Sequence, residues 1–162
     1  MASGDILFYT SRGSFFDRLI VWGTHGPFVH CEIDLGDGTS IGALSHGVTR
    51  HVVRSPAAVA SVGEQLAARR SMRLQVALVW LEKQVGRRYG WWDIVADAFK
   101  TILPTCLGSR TPFLVMPSEY DCSELAAVFL AIAGANLPSA VITDLQRTSP
   151  NDLARALGVT LA

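Results

Sequence analysis

The sequence predicts one α+β domain over residues 1–162, in which a small antiparallel sheet packs against helices. Short apolar runs separated by glycine turns fill residues 5–54, and apolar residues recur at helical spacing from residue 71 onward. The chain has 162 residues, 49% of them hydrophobic, so it is also long and apolar enough to bury one core.

Four strands and one helix are expected before Pro56, which breaks the strand pattern. The predicted strands are "DILFY" (5–9), "FVHCEIDL" (28–35), "TSIGAL" (39–44) and "GVTRHVVR" (47–54). The "GDG" between the second and third strands is typical of a hairpin turn. The helix is "SFFDRLIVWG" (14–23), with Ser14 as its N-cap and Gly23 as its end.

The rest of the chain is expected to be mainly helical. Helices are predicted over residues 71–86, 91–103, 121–134 and 149–158, with a loop over 104–120. One face of the first of these helices carries the apolar residues Leu74, Leu78, Leu81 and Val85. In the last helix, Ser149 is the expected N-cap and Pro150 occupies the first helical position.

The composition argues against several partners. The 14 basic and 14 acidic residues give a formal net charge of zero, without the basic excess that drives binding to nucleic acid. The longest apolar stretch, which begins at Leu125, is too short to span a bilayer. No signal peptide is visible at the start, so a cytoplasmic location is the default expectation. The three cysteines have no paired spacing that would indicate a disulfide framework.

The adjacent pair His30–Cys31 raises the question of a catalytic couple. Successive side chains of a strand point to opposite faces. Cys31 therefore joins an apolar row and His30 a polar one, and we expect Cys31 to be a small core residue rather than a partner of His30.

Cys122 is the better candidate for a nucleophile. Asp121 is the expected N-cap of the helix that follows, with Glu124 three residues later, so Cys122 falls in the first turn, where the helix dipole favours a thiolate. A nearby His30 would complete a Cys–His pair, and the amide of Cys122 would be an oxyanion donor. The alternative is that Cys122 belongs to an apolar core stripe and His30 lies on an exposed sheet face.

Several short segments resemble the NlpC/P60 superfamily of papain-like cysteine hydrolases. "DCSELAAVFLAIAGANLP" (121–138) resembles its catalytic-cysteine helix, and "VGRRYGWW" (85–92) resembles the segment that leads into it. "HCEIDLGDGTSIGA" (30–43) resembles its catalytic-histidine hairpin. The histidine segment here precedes the cysteine segment, an order that resembles the circularly permuted, YiiX-like branch. "GDIL" (4–7) and "TSPNDL" (148–153) also fit that branch.

The resemblance implies a permuted papain-like fold and thiol hydrolysis of an amide or peptide bond, with Cys122 as nucleophile and His30 as base. Bacterial cell-wall peptide is the leading substrate class, and a phage-derived enzyme would be associated with the virion or released. Acyl transfer or lipid-ester cleavage on the same fold is one alternative. A non-catalytic binding or structural module is another. The sequence does not indicate the oligomeric state.

One departure from the family pattern concerns the third catalytic residue. The family has a polar residue twelve positions after the histidine, where this chain has Gly42, and a small residue two positions after it, where this chain has Glu32. A three-residue "GDG" turn would place residues 32 and 42 opposite each other, on the side of His30. We therefore expect Glu32 to orient His30, with a solvated surface glutamate as the alternative.

Four residues are candidates for binding substrate: Tyr89, Trp91, Trp92 and Asp121. The three aromatic residues lie in the segment that leads toward the cysteine helix, although aromatic residues also serve in cores.

Neither a metal nor a cofactor is expected. His25, His30 and Cys31 are ligand types for zinc, but their spacing is unfamiliar and strand alternation separates His30 from Cys31. His46 and His51 have no acidic partner at an informative spacing.

Overall fold

The computed structural model describes residues 1–89, 119–139, 141 and 148–159. The helix predicted over 91–103 and nearly all of the loop predicted over 104–120 lie outside the described residues. The elements are β1 (Ile6–Thr10), α1 (Phe15–Thr24), β2 (Phe28–Asp34), β3 (Thr39–Leu44), β4 (Gly47–Val52), β5 (Ala58–Ala60), α2 (Gly63–Glu82), β6 (Arg88–Tyr89), β7 (Glu119–Tyr120), α3 (Cys122–Ala133) and α4 (Pro150–Ala156).

The main sheet has five antiparallel strands in the order β4-β3-β2-β1-β5, and β6 pairs with β7 in a separate parallel ribbon. This arrangement confirms the predicted α+β class with a small antiparallel sheet. The hairpin pairs Ile33 with Ile41 and Asp34 with Ser40. Continuing that register by one residue places Glu32 opposite Gly42, as the three-residue turn predicts.

Helix α3 forms the centre of the core. Its residues Leu125, Ala126 and Phe129 are fully buried, and the helix contacts β2, β3 and α2. Leu74 and Leu81 of α2 are buried beside it, as their spacing predicts. Val85 was expected on the same face, but it follows the end of α2 and is 44% exposed. Helix α3 thus carries Cys122, its first residue, against the sheet.

One predicted helix start is wrong and one strand was missed, each for an identifiable reason. Helix α2 begins at Gly63 rather than at residue 71, and no side chain at its N-cap, Val62, forms a cap. The carboxylate of Asp5 instead accepts a hydrogen bond of 2.9 Å from the Gly63 N–H. That cap comes from a residue distant in sequence, so no local start signal marks the helix. Strand β5 was also missed, because its three residues after Pro56 are too few to show alternation.

The boundaries of α1 and of the last two helices follow their capping signals. Ser14, Asp121 and Ser149 each accept a hydrogen bond from a backbone N–H of the first turn, which confirms the three predicted N-caps. Helix α1 continues past the predicted end at Gly23, because His25 adopts the left-handed conformation that ends a helix (φ 50°).

A buried amide ties α4 to the start of β2. The side chain of Asn151 accepts a hydrogen bond of 2.9 Å from the Phe28 N–H and donates one of 2.7 Å to the Phe28 carbonyl. These two bonds replace the strand partner that Phe28 lacks on that side. Asn151 therefore fixes the position of the strand that carries His30.

We expect Asn151→Ala to lower the free energy of unfolding by about 2–4 kcal/mol, because both backbone groups of Phe28 would lose their buried partner. Urea denaturation followed by circular dichroism measures this. The control is Asn136→Ala at an exposed asparagine, where a change within about 0.5 kcal/mol is expected. Equal unfolding midpoints for the two variants would contradict the role assigned to Asn151.

Candidate active site

Cys122 occupies the first position of α3. The preceding Asp121 has an extended backbone (φ −85°, ψ 170°), and its carboxylate accepts a hydrogen bond of 2.6 Å from the Glu124 N–H. The helix therefore starts at the cysteine, so the backbone N–H of Cys122 belongs to the first turn, where no earlier helical carbonyl accepts it. The residue is 5% exposed. This position provides the dipole and backbone donors that a thiolate needs.

His30 lies on β2 and is held from two sides. Its Nε2 is 3.0 Å from Oε1 of Glu32, and its side chain is 15% exposed. The imidazole also lies close enough to the Cys122 thiol for each of the two groups to shift the pKa of the other. Because Nε2 faces Glu32, Nδ1 is the ring nitrogen left for the thiol. The structure thus brings together the three residues proposed as catalytic from the sequence.

The protonation equilibria of the pair shift in opposite directions. The largest influence on the pKa of the Cys122 thiol is hydrogen bonding with Cys31, which lowers it. The charge and hydrogen bonding of His30 also lower it. Together these influences outweigh burial, so the pKa lies well below its usual value. Burial alone would lower the pKa of His30, but the charge and hydrogen bond of Cys122, and then those of Glu32, raise that pKa to about 9. Both shifts favour a thiolate–imidazolium pair at neutral pH.

Cys31 requires a partial correction. It is fully buried, as predicted, but it is not remote from the site, because its Sγ donates a hydrogen bond of 3.3 Å to the carbonyl oxygen of Cys122. Strand alternation separates the side chains of His30 and Cys31, yet the first residue of α3 accepts a hydrogen bond from Cys31 and also shifts the pKa of His30. Alternation predicts on which face of a strand a side chain lies. It does not predict which residue of a helix packed on that strand the side chain contacts.

Glu32 is a completely buried carboxylate with many partners. Its Oε2 accepts hydrogen bonds from Tyr9 Oη (3.0 Å) and Ser40 Oγ (2.7 Å). Its Oε1 faces His30 Nε2 (3.0 Å) and Arg54 Nη2 (2.8 Å). Burial alone would raise the pKa of Glu32, but the contacts with His30 and then Ser40 and Arg54 outweigh it and lower that pKa far below the usual value. The solvated alternative for Glu32 is therefore wrong.

Gly42 provides the space that Glu32 occupies. A Cβ at position 42 would lie 2.7 Å from Cγ of Glu32 and 3.3 Å from Nε2 of His30. A side chain larger than hydrogen at position 42 would therefore displace the carboxylate or the imidazole. The acid at 32 and the glycine at 42 are thus complementary, as the hairpin register indicated.

A second histidine beside Glu32 was missed. His51 was judged to lack an acidic partner, but its Nε2 lies 3.0 Å from Oε1 of Glu32, although not at an angle that forms a hydrogen bond. The pairing of Ser40 with His51 across β3 and β4 brings it there. Sequence spacing could not show this contact, since it depends on how β4 pairs with β3.

Three further partners of Glu32 also escaped the sequence analysis. They are Tyr9, Ser40 and Arg54. Ser40 could have been found, because it is two residues from Gly42 and shares its face of β3. Tyr9 sits opposite His30 in the pairing of β1 with β2, and Arg54 follows the end of β4, so neither carries a local signal.

The candidate substrate-binding residues are only partly described. The backbone of Tyr89 pairs with Tyr120, which places residue 89 close to the start of α3. The side chain of Tyr89 is not among the described features, and Trp91 and Trp92 lie outside the described residues altogether. The carboxylate of Asp121 caps α3, and its role in binding substrate stays a prediction.

Within the described ranges, no three His, Cys, Asp or Glu side chains are grouped as a metal site. His25, part of the zinc alternative, caps the C-terminus of α1. None of the helices described has the length and apolar character needed to cross a membrane.

No family model, curated protein or solved structure matches the chain. The resemblance to permuted cysteine hydrolases therefore rests on the sequence motifs alone.

Iodoacetamide should label Cys122 in mildly acidic buffer at a rate that changes little as the pH rises to neutrality, because the lowered thiol pKa keeps the thiolate populated. A free cysteine, with a pKa of about 8.5, would react ~10-fold faster for each pH unit gained below that value. Peptide mass spectrometry measures the rate at each cysteine separately.

His30→Ala is the matched control for this labelling. It removes the imidazolium, so the labelling of Cys122 should regain part of the pH dependence of a free thiol. A wild-type profile that already rises like that of a free cysteine would rule out the thiolate–imidazolium pair.

Proposed function

We propose that this protein is a cysteine hydrolase that cleaves an amide or peptide bond. The observation that carries the proposal is the row of three side chains formed by the thiol at the start of α3, by His30, whose charge lowers the pKa of that thiol, and by the buried carboxylate of Glu32, which lies 3.0 Å from the imidazole. A thiol is activated for attack on a carbonyl when a base lies next to it and an acid orients that base, which is the spatial order of these three residues.

Each residue of the line has a defined task in the proposed reaction. The thiolate of Cys122 attacks the carbonyl carbon, and the backbone N–H of Cys122 stabilises the oxyanion. The His30 imidazolium gives its proton to the leaving amine, which leaves a thioester on Cys122. His30, now neutral, takes a proton from water, whose oxygen attacks the thioester and releases the acid. Glu32 holds the ring with Nδ1 toward the sulfur and stabilises its charged form.

We further propose that the fold is the permuted papain-like fold of the YiiX-like branch. The strand that bears the histidine precedes the cysteine helix in the chain and packs against it, which is the arrangement that the permuted order requires. Bacterial cell-wall peptide is then the first substrate class to test. Whether the protein acts in the cytoplasm or from a virion depends on where that substrate is found.

A panel of muropeptides, acyl amides and lipid esters, digested and analysed by mass spectrometry, tests the activity. We expect wild type to hydrolyse members of the amide or peptide class, and Cys122→Ala to hydrolyse none. Products formed by acyl transfer or ester cleavage would favour the acyltransferase or lipid-hydrolase alternative. Equal activity of wild type and Cys122→Ala would refute the assignment of the nucleophile, and the absence of any turnover would favour a non-catalytic module.

Glu32→Gln should lower kcat by at least ~100-fold, because it removes the charge that orients and stabilises the imidazolium while keeping the side-chain size. It should also lower the pKa of His30, which an NMR titration of the imidazole measures. The control is Glu64→Gln, at an exposed acid in the first turn of α2, where neither quantity should change. A folded Glu32→Gln enzyme with the wild-type pH–rate profile would refute the orienting role.

A further inference from the structure

The site holds a second thiol that hydrolysis does not use. Cys31 is fully buried, and its Sγ lies 3.3 Å from the carbonyl oxygen of Cys122. Both cysteines are free thiols. Strand β2 and helix α3 pack directly against each other, so Cys31 and the first residue of α3 are neighbours within the core.

The two thiols differ in their susceptibility to oxidation. Cys122 is 5% exposed, and its lowered pKa favours the thiolate, which is the form that reacts with oxidants. Cys31 is inaccessible, and hydrogen bonding with Cys122, followed by burial, raises the pKa of its thiol well above the usual value. An oxidant that enters the site therefore meets Cys122 first, while Cys31 remains a protonated neighbour.

We propose that Cys31 is a resolving cysteine, which forms a reversible disulfide with Cys122 after a hydroperoxide has oxidised Cys122. In the first step, the thiolate of Cys122 attacks the terminal oxygen of the peroxide, which breaks the O–O bond and yields a sulfenic acid and hydroxide, or an alkoxide if the hydroperoxide is organic. In the second step, the sulfur of Cys31 attacks the sulfenic sulfur. The S–S bond forms, and the sulfenic hydroxyl leaves with the proton of Cys31 as water.

The electrostatics of the pair favour this order of events. The hydrogen bond and the negative charge of Cys122 are among the causes that keep Cys31 protonated. A sulfenic acid is neutral, so its formation removes that charge and makes Cys31 easier to deprotonate when its attack is needed. Reduction by a dithiol returns both thiols, whereas sulfinic and sulfonic acids would inactivate Cys122 permanently.

The proposal goes beyond hydrolysis and does not depend on it, since it needs only a reactive Cys122 beside Cys31. If the panel of substrates shows no turnover, the disulfide still forms. If the disulfide fails to form, the hydrolase assignment is unaffected. The two ideas can therefore fail separately.

The test uses Cys106→Ser as background, because Cys106 is the third cysteine of the chain and lies outside the described residues. The protein is treated with hydrogen peroxide, alkylated under denaturing conditions and digested without reductant. We expect a peptide pair linked through residues 31 and 122, with the mass lowered by two hydrogen atoms. Dithiothreitol should then restore almost all of the alkylatable Cys122.

Cys31→Ser in the same background is the matched variant, because its hydroxyl can still donate a hydrogen bond to Cys122 but cannot form a disulfide. After peroxide, it should accumulate Cys122 with two or three added oxygen atoms, and dithiothreitol should restore only a minor fraction. The ratio of over-oxidised to reducible Cys122 is compared, so a change in overall reactivity does not affect the result.

The proposal is overturned if no peptide linked through residues 31 and 122 forms in the Cys106→Ser protein. It is equally overturned if Cys31→Ser and its parent show the same ratio of over-oxidised to reducible Cys122. The first readout requires no change at position 31, so it stays decisive even if Cys31→Ser folds poorly.

Discussion

The buried carboxylate of Glu32 constrains four strands of the sheet at once. A carboxylate without water is costly unless partners compensate it, and the cost of leaving it unpaired is several kcal/mol. Each of the four adjacent strands β1 to β4, and the segment after β4, brings a group to it: Tyr9, His30, Ser40, His51 and Arg54. The strands must therefore pair in this register for the charge of Glu32 to be compensated, because a shifted strand would move its polar group away from the carboxylate.

Space imposes a second condition on the same carboxylate. Glu32 fits only because Gly42 presents no Cβ toward it. A slip of one residue in the hairpin would move Glu32 to the opposite face, which is the apolar side that carries Cys31 and Ile33. The charge of Glu32, the missing side chain at Gly42 and the apolar residues of β2 thus all specify the same register of the hairpin. In that register His30 lies on the face of β2 that carries Glu32.

Local signals were enough to predict some of this arrangement. The starts of three helices could be predicted from their N-cap residues, which are Ser14, Asp121 and Ser149. The length of the "GDG" turn was enough to place Glu32 opposite Gly42. Cys122 at the first position of α3 followed from the cap at Asp121. These features depend on residues a few positions apart, so a sequence pattern contains them.

The missed features all depend on contacts between distant segments. Asp5 supplies the cap of α2 from 58 residues away, so the helix begins where the local sequence carries no cap. His51 reaches Glu32 through the pairing of β4 with β3, and Cys31 meets Cys122 because α3 packs on β2. Alternation predicts which face a side chain takes, but only the packing of the elements determines what it touches there.

The charges of the site alternate in sign. In the protonation states that the shifted pKa values favour, the thiolate of Cys122 is next to the imidazolium of His30, which is next to the carboxylate of Glu32. That carboxylate is in turn next to the guanidinium of Arg54. Two negative and two positive groups cancel, which reduces the cost of keeping the row away from water. In such surroundings each charge acts strongly on its neighbours, so the state of the sulfur depends on residues of the sheet well beyond His30. Cys31 acts differently, since it is a neutral thiol on the apolar face of β2 whose Sγ donates to the carbonyl oxygen of Cys122 and whose hydrogen bonding lowers the pKa of the Cys122 thiol. The ionisation of the sulfur therefore depends both on a charged partner, His30, and on a second thiol, Cys31. The proposed redox chemistry of that second thiol becomes relevant only once the ionised sulfur has been oxidised.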